Sequence, residues 1–427
     1  MRKFSFWFLL CVGCASHQNK DTFDQADFDI DVPWEKNGQK TNEGAEPNYF
    51  SVNYQLTWEG KDIGEAREVY HRSGDKIRIL RKENMLVERD GTKVPIETEI
   101  VIETDLNLWA KRVELNSKVG ALSHRGIATR ADNQNWVIAF DGEKVRQANR
   151  DAVPAELVSY ILKKKNISSF NGDVLLAGYG FAVVPMRLKH DGKQAVSILE
   201  TQWGDIETDM TLAKDGSLLE ATAGVVSAHR ASPDTLEDIA PTEVLNPSHL
   251  TVSGTGNVLK LSGLQSRLPT FSPGIFIREI DDTLLYRFES SKNGFSPRAK
   301  SINDEVDRLL DESHDAPGAT GASALKLGRG DCSAHSALFV DLALERGLEA
   351  KVVTGFRLTD NQLVRHRWAV VKDQGEWFAV DPTFGEAPVP YKTHVPLAVH
   401  DATTRDMALV DEALFRDLSK VTAKWQK

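Results

Sequence analysis

A long alternation of apolar and polar residues between about residues 48 and 231 constrains the fold of this chain most strongly. Val52, Tyr54, Leu56 and Trp58 alternate with polar residues at the start of this region. Further runs with the same period occupy residues 76–81, 99–103, 108–115, 136–140, 206–212 and 218–226. A period of two is typical of strands with one buried face, and Gly, Asp and Asn between the runs favour hairpin turns. We therefore predict an antiparallel, curved β-sheet domain over residues 48–231, interrupted by one helix that begins near Pro154.

The period changes from 2 to 3.6 near residue 300. Residues 232–298 contain several prolines and two short β-like runs, which predicts a connector with short strands that pairs with one neighbouring domain. After the connector, Ile302, Val306 and Leu310 recur at helical spacing, and Ser301 is the predicted N-cap of that helix. The last domain is predicted over residues 299–427, and the chain as a whole is predicted to be α+β.

The first residues are predicted to be a targeting segment. Arg2 and Lys3 precede a run, 4–12, that is apolar except for Ser5 and is shorter than the roughly 20 residues of a membrane-spanning helix. A signal peptide is therefore predicted over residues 1–13. Gly13-Cys14-Ala15 is similar to a lipobox, which predicts lipid attachment at Cys14 and a membrane anchor. An ordinary secretory signal followed by a stray cysteine is the alternative.

Residues 14–47 are polar and rich in acidic residues, which predicts a flexible tether between lipid and domain. The expected location is the bacterial cell envelope. In Gram-negative lipoproteins, which this amino terminus resembles, a residue other than Asp after the cysteine favours the outer membrane. Ala15 stands there, so we expect an outer-membrane protein facing the periplasm.

Charge and cysteine content exclude two classes of protein. The chain has 52 Lys and Arg against 62 Asp and Glu, a net charge of −10, and no basic stripe is visible, so a nucleic-acid partner is not expected. Three cysteines cannot form a disulfide framework. Cys11 would leave with the signal and Cys14 would be lipid-modified. Cys332 is therefore expected to be the free thiol of the mature chain.

The sequence around Cys332 predicts a nucleophile at the start of a buried helix. Asp331 is a favoured N-cap residue, the segment that follows is largely apolar, and Gly347 is placed to end the helix. A first-turn position favours a thiolate, and the free N–H groups there can stabilise an oxyanion. An inert buried cysteine remains the alternative when this segment is considered alone.

Two later strands supply partners for that thiol. The runs 365–371 and 376–381 flank Asp373-Gln374-Gly375, which predicts a hairpin. If Val371 opposes Glu376, His366 and Asp381 are direct cross-strand neighbours, whereas a two-residue turn makes them diagonal on the same face. In either case Asp381 can orient the imidazole and His366 can accept the Cys332 proton, as in a catalytic triad.

These motifs together resemble the core of bacterial transglutaminase-like proteins over about residues 300–390. The resemblance rests on Gly330-Asp331-Cys332, Gly347-Leu348-Glu349-Ala350 with Val353 and Gly355, His366-Arg367-Trp368, and Trp377 with Asp381-Pro382-Thr383. It implies a papain-like α+β core, with Cys332 as nucleophile, His366 as general base and acid, and Asp381 as the orienting group. The chain departs from many relatives at Ala334, where they carry an acidic residue, and at Arg367, which is expected to alter substrate access.

The expected function is that of a membrane-anchored thiol enzyme that cleaves or transfers amide bonds in peptides or glutamine carboxamides. Hydrolysis is slightly favoured over transfer, and the partner is a protein or peptide of the cell envelope. No cofactor or metal is expected, because Cys332, His335 and His366 lack a compact ligand spacing, and His335 is expected to pack locally. The alternative is a non-catalytic envelope binding protein with a vestigial thiol domain. Oligomeric state is not readable from the sequence.

Overall fold

The fold is mostly β-sheet, with a few helices and a curled amino-terminal sheet. The structure, a computed structural model, describes residues 49–89, 91–214, 217–231, 242–243, 249–264, 273–281, 283–289, 296–390, 392–415, 418 and 420–427. The predicted signal peptide, the tether and Cys14 lie outside these residues. The predicted domain boundaries stay predictions. Among the described residues, no helix has the length and apolar character needed to cross a membrane.

The amino-terminal sheet is built from fifteen consecutive strands and one later strand. They are β1 (Tyr49–Trp58), β2 (Lys61–Ser73), β3 (Lys76–Arg89), β4 (Thr92–Asp105), β5 (Ala110–Val119), β6 (Leu122–Thr129), β7 (Trp136–Phe140), β8 (Arg146–Ala148), β9 (Val153–Pro154), β10 (Ser169–Leu176), β11 (Ala182–His190), β12 (Gln194–Glu200), β13 (Asp205–Leu212), β14 (Leu218–Ala223), β15 (Val226–Ala231) and β16 (Thr242–Glu243). Helix α1 (Val158–Lys165) follows β9.

Most strands that follow one another along the chain pair as antiparallel hairpins, as the alternation predicts. The exceptions to the predicted antiparallel pairing are β9 with β10, which α1 separates along the chain, and β16 with β3, and both pairs are parallel. The sheet order runs from β8 back to β1, continues to β15 and descends to β9, while β16 adds to β3. Alternate residues point into one buried face, for example Val52, Tyr54 and Leu56 of β1. The predicted run 218–226 is in fact two strands, because Gly224 adopts a positive φ of 58° and makes a turn between them.

The carboxy-terminal part holds a nine-stranded sheet and four helices among the described residues. Its strands are β17 (His249–Ser253), β18 (Val258–Ser262), β19 (Ile275–Ile280), β20 (Thr283–Phe288), β23 (Glu349–Thr359), β24 (Gln362–Asp373), β25 (Glu376–Val380), β26 (His394–His400) and β27 (Thr422–Gln426). Its helices are α2 (Pro297–Leu309), α3 (Gly321–Leu327), α4 (Cys332–Glu345) and α5 (Thr404–Phe415). The short strands β21 (Asp311–Glu312) and β22 (Arg329–Gly330) pair with each other just before α4.

Helix α2 begins earlier than the sequence predicts. Its N-cap is Ser296, whose hydroxyl accepts a hydrogen bond from the Ala299 N–H at 3.1 Å, and Pro297 occupies the first turn. The prediction of Ser301 as N-cap is therefore wrong. A serine directly before a proline is a strong start signal, since proline has no N–H to leave unsatisfied in the first turn.

The two parts of the molecule share a hydrophobic core. Tyr54 and Leu56 of the amino-terminal sheet belong to the same buried cluster as Phe356, Leu397 and Leu409 of the carboxy-terminal part. A second contact joins the β5–β6 turn to the segment before α3, where the Ala121 N–H donates to the Asp315 carbonyl at 2.9 Å. The amino-terminal sheet therefore supports the domain that carries Cys332.

Candidate active site

Helix α4 places Cys332 at its first residue, as the sequence predicts. The side chain of Asp331, the N-cap, accepts hydrogen bonds from the N–H groups of Ser333 at 2.9 Å and Ala334 at 3.3 Å. The Asp331 carboxylate therefore accepts from two N–H groups in the first turn of α4. The thiol is half-buried at this helix end, where an anion is favoured.

The β24–β25 hairpin has a different register from the first one considered above. Asp373 pairs with Glu376, and Val371 pairs with Phe378. Of the two alternatives given above, the register in which Val371 opposes Glu376 is excluded and the two-residue turn is observed. Gln374 and Gly375 both have positive φ values, 51° and 86°, which is the conformation of a tight hairpin turn.

This register still brings His366 and Asp381 together on one face. Asp381 follows the last residue of β25, and His366 lies near the middle of β24, so the two residues are diagonal neighbours. The His366 Nε2–H donates to the Asp381 carboxylate Oδ2 at 2.8 Å. The Cys332 thiol forms a hydrogen bond with the same imidazole. The structure thus places all three predicted site residues in one chain of contacts.

Asp381 is fully buried and surrounded by donors. Its Oδ2 accepts from His366, from Arg357 Nη1 at 3.0 Å and from His394 Nε2 at 2.9 Å, and its Oδ1 accepts from the Thr383 N–H at 3.1 Å. Burial would raise the pKa of this carboxyl, but the two histidines hold the pKa well below its usual range. The Asp381 carboxylate is therefore ionised at neutral pH and can accept the hydrogen bond from His366.

The charge on His366 follows from the same contacts. Burial by itself would lower the pKa of the imidazole, but the Asp381 carboxylate and the hydrogen bond with Cys332 outweigh burial and raise that pKa to about 10. The protonated form of His366 is thus favoured at neutral pH. Burial lowers the pKa of His394, so this second ring is neutral and donates to Asp381 without adding charge.

Arg367 does not face the substrate side, contrary to the expectation that it alters substrate access. The side chain is only 3% exposed and lies on the opposite face of β24 from His366. Its guanidinium donates to the Ser333 hydroxyl beside the nucleophile, to Thr354 Oγ1 at 3.1 Å and to the Asp411 carboxylate on α5. Arg367 therefore ties the start of α4 to β24 and α5.

Two further histidines bear on the possibility of a metal. His335 is buried and its Nδ1 contacts the Asp331 carbonyl at 2.9 Å, which is the local packing the sequence predicts. The side-chain ligand atoms of His366, Asp381 and His394 lie within 4.8 Å of one another, and these residue types bind zinc. However, the Arg357 guanidinium contacts the shared oxygen of Asp381 and places a positive charge where an ion would be bound.

One comparison with known protein families finds a match in the carboxy-terminal part of the chain. The model of the transglutaminase-like superfamily matches residues 284–382, which contain Cys332, His366 and Asp381. Residues 284–382 form a transglutaminase-like core. No curated protein matches the chain at a significant level.

Solved structures show weaker similarity. A β-barrel-like protein of a domain family of unknown function (DUF1849) from Brucella abortus is 12% identical, with a TM-score of 0.34 over 43% of this chain and 93% of that one. A DUF1089 family protein from Pseudomonas aeruginosa is 8% identical, with a TM-score of 0.26 over 43% and 95%. A protein from Cytophaga hutchinsonii provisionally assigned as a cysteine protease is 11% identical, with a TM-score of 0.22 over 42% and 84%.

The sequence did not predict that Arg357 and His394 belong to the site. Both side chains contact the Asp381 carboxylate. His394 lies on β26 and Arg357 on β23, and neither stands in a recognisable motif. The available signal was weak, namely a histidine at the start of the otherwise apolar strand His394–His400. Such a residue is recognisable as part of the site only when the pairing of β23, β24 and β26 is known.

Proposed function

We propose that the transglutaminase-like core is a papain-like thiol enzyme that acts on amide bonds of peptides or glutamine carboxamides. The observation that carries the proposal is the buried His366, which contacts the Asp381 carboxylate at 2.8 Å and the Cys332 thiol. This arrangement supports a nucleophile, a general acid and base, and an orienting carboxylate in named positions.

The proposed reaction has two steps. The Cys332 thiolate attacks the amide carbonyl, so a sulfur–carbon bond forms and the carbon–nitrogen bond breaks, while His366 gives its proton to the leaving amine. The Cys332 N–H, in the first turn of α4, donates to the oxyanion. In the second step water attacks the thioester while His366 takes its proton, so a carbon–oxygen bond forms, the sulfur–carbon bond breaks and the carboxylic acid leaves. Cys332 and the protonated His366 are then regenerated. An amine in place of water gives transfer, and we favour hydrolysis.

Labelling with a thiol-directed probe tests the nucleophile. We expect an electrophilic peptide amide analogue to label the wild-type protein on Cys332, and labelling to slow by at least about tenfold in His366→Ala because the base is lost. His335→Ala is a matched control on the same helix and is expected to label like the wild type. Mass spectrometry of a trapped acyl fragment then identifies the substrate.

Equal labelling rates in the wild type and His366→Ala, together with no turnover of any peptide amide, would favour the non-catalytic alternative. In that case Cys332 is an ordinary thiol and the carboxy-terminal domain serves in binding.

We also propose that the protein is anchored by lipid at Cys14 in the bacterial envelope, with its domains in the periplasm. The support is the sequence Gly13-Cys14-Ala15 after a short apolar segment. Cys14→Ser is expected to move the protein from the membrane fraction to the soluble periplasmic fraction or to stall its processing, because the acyl chains supply the membrane affinity. Cys11→Ser is the control. Normal cleavage with full membrane retention of Cys14→Ser would refute the lipid anchor.

A further inference from the structure

A half-exposed aromatic ring lies against the candidate catalytic histidine. Phe384 is 51% exposed, and its ring centroid is 5.4 Å from that of the His366 imidazole. The Arg357 guanidinium lies 3.9 Å from the centroid of the same ring. The rest of the Phe384 ring faces solvent beside the candidate catalytic histidine.

The loop that carries Phe384 is held by Asp381, through both its backbone and its carboxylate. Two backbone hydrogen bonds join Asp381 to Glu386, at 2.8 and 3.0 Å, and close the loop at its base. The Thr383 N–H donates to Asp381 Oδ1, and Gly385 has a φ of 66°, which completes a tight turn. The ring is therefore fixed relative to His366 by the residue that orients His366.

The charged groups around the ring neutralise one another. Arg357 donates to Glu386 at 2.7 and 2.8 Å and to Asp381 at 3.0 Å. The guanidinium under the ring is thus paired with two carboxylates and offers little to a charged ligand. The surface that Phe384 presents to solvent is apolar.

Geometry connects this surface to the substrate. An amide attacked by Cys332 must also reach His366, and one residue of an extended peptide spans about 3.3–3.6 Å. The side chain one residue away from the reacting amide therefore falls within reach of the Phe384 ring. Covering the exposed half of the ring stabilises the complex when that side chain is apolar, because apolar surface then leaves water on both sides.

We propose that Phe384 is a specificity-determining residue that binds an apolar side chain next to the amide on which the enzyme acts. The substrate class is then a peptide with a large aliphatic or aromatic residue beside the reacting amide. The inference rests on the proposed function and specifies the substrate of the same site.

Internally quenched peptides that differ only in the residues flanking the amide test this inference. In the wild type we expect kcat/KM for a Leu or Phe flank to exceed that for a Gly flank by about 10-fold or more. In Phe384→Ala the ratio is expected to fall to about 2 or less, and in Phe384→Leu to an intermediate value.

Leu344→Ala is the matched control. Leu344 is 53% exposed but lies near the far end of α4, about 18 Å along the helix from Cys332. This variant is expected to keep the wild-type ratio. An unchanged ratio in Phe384→Ala would overturn the inference and leave the proposed function intact.

If no peptide is turned over, a measurement of peptide binding tests the role of Phe384 independently of the proposed catalysis. The Kd of the same peptides for the Cys332→Ala protein is measured by fluorescence anisotropy, with and without Phe384→Ala. A preference for apolar flanks that depends on Phe384 supports the inference even when catalysis fails. Equal Kd values for Gly and Leu flanks would overturn it.

Discussion

Asp381→Asn is expected to lower turnover of an amide substrate by about 10³- to 10⁴-fold while the protein still folds. The amide is nearly isosteric with the carboxylate, but it carries no charge to stabilise the His366 imidazolium. If its NH₂ group faces the Nε2 of His366, it also cannot accept that proton. The measurement is kcat and KM on an amide substrate, with thermal melting as the folding control.

The same variant is expected to change the pH profile. In the wild type, turnover falls as pH rises through about 10, because His366 must be protonated to give a proton to the leaving amine. Because the Asp381 carboxylate raises the pKa of His366, its removal lowers that pKa and moves the alkaline fall to lower pH. If Asp381 had only a structural role, turnover would be lower but the alkaline fall would stay at the same pH.

A double-mutant cycle tests whether Asp381 and His366 act together. Asp381 and His366 are expected to act as one unit, so His366→Ala should cost much less in the Asp381→Asn background than in the wild type. Asp401→Asn is a control, since Asp401 forms an exposed ion pair with Lys351. Independent, multiplicative losses would reduce the site to Cys332 and His366 alone.

Arg367→Met is expected to lower the free energy of unfolding by about 2–4 kcal/mol. The guanidinium is buried and donates to four acceptors, each of which loses a donor when the guanidinium is removed. They are the Ser333 hydroxyl, Thr354 Oγ1, the Asp411 carboxylate and the Met407 carbonyl. Methionine fills much of the volume, which keeps the loss from being a packing effect. Chemical denaturation measures the change, and labelling of Cys332 reports whether the start of α4 has shifted.

Arg365→Met is the matched control for this prediction. Arg365 pairs with the same carboxylate, Asp411, but its side chain is 25% exposed. Because exposed ion pairs contribute little, we expect a loss below about 1 kcal/mol. Equal losses in the two variants would mean that the burial of Arg367, and its bond to Ser333, contributes nothing to stability.

The amino-terminal sheet shows how much a strong sequence pattern can predict. The alternation around Tyr54 and the hairpin turns were sufficient to predict a curved antiparallel sheet. Individual ends were less predictable, because a single glycine such as Gly224 can divide one apparent run into two strands. The start of α2 was missed for a similar local reason, since Ser296 and Pro297 outweigh the more distant Ser301.

In the candidate site, too, some features follow from the sequence and others depend on the tertiary structure. The sequence by itself determined that Cys332 begins a helix and that His366 and Asp381 share a face, because caps, strand alternation and hairpin turns are local. Only the tertiary structure decided the position of Arg367 and the contacts of Arg357 and His394 with Asp381. These depend on β23, β24 and β26 lying side by side and on α5 covering one face, and such long-range pairing leaves no period in the sequence.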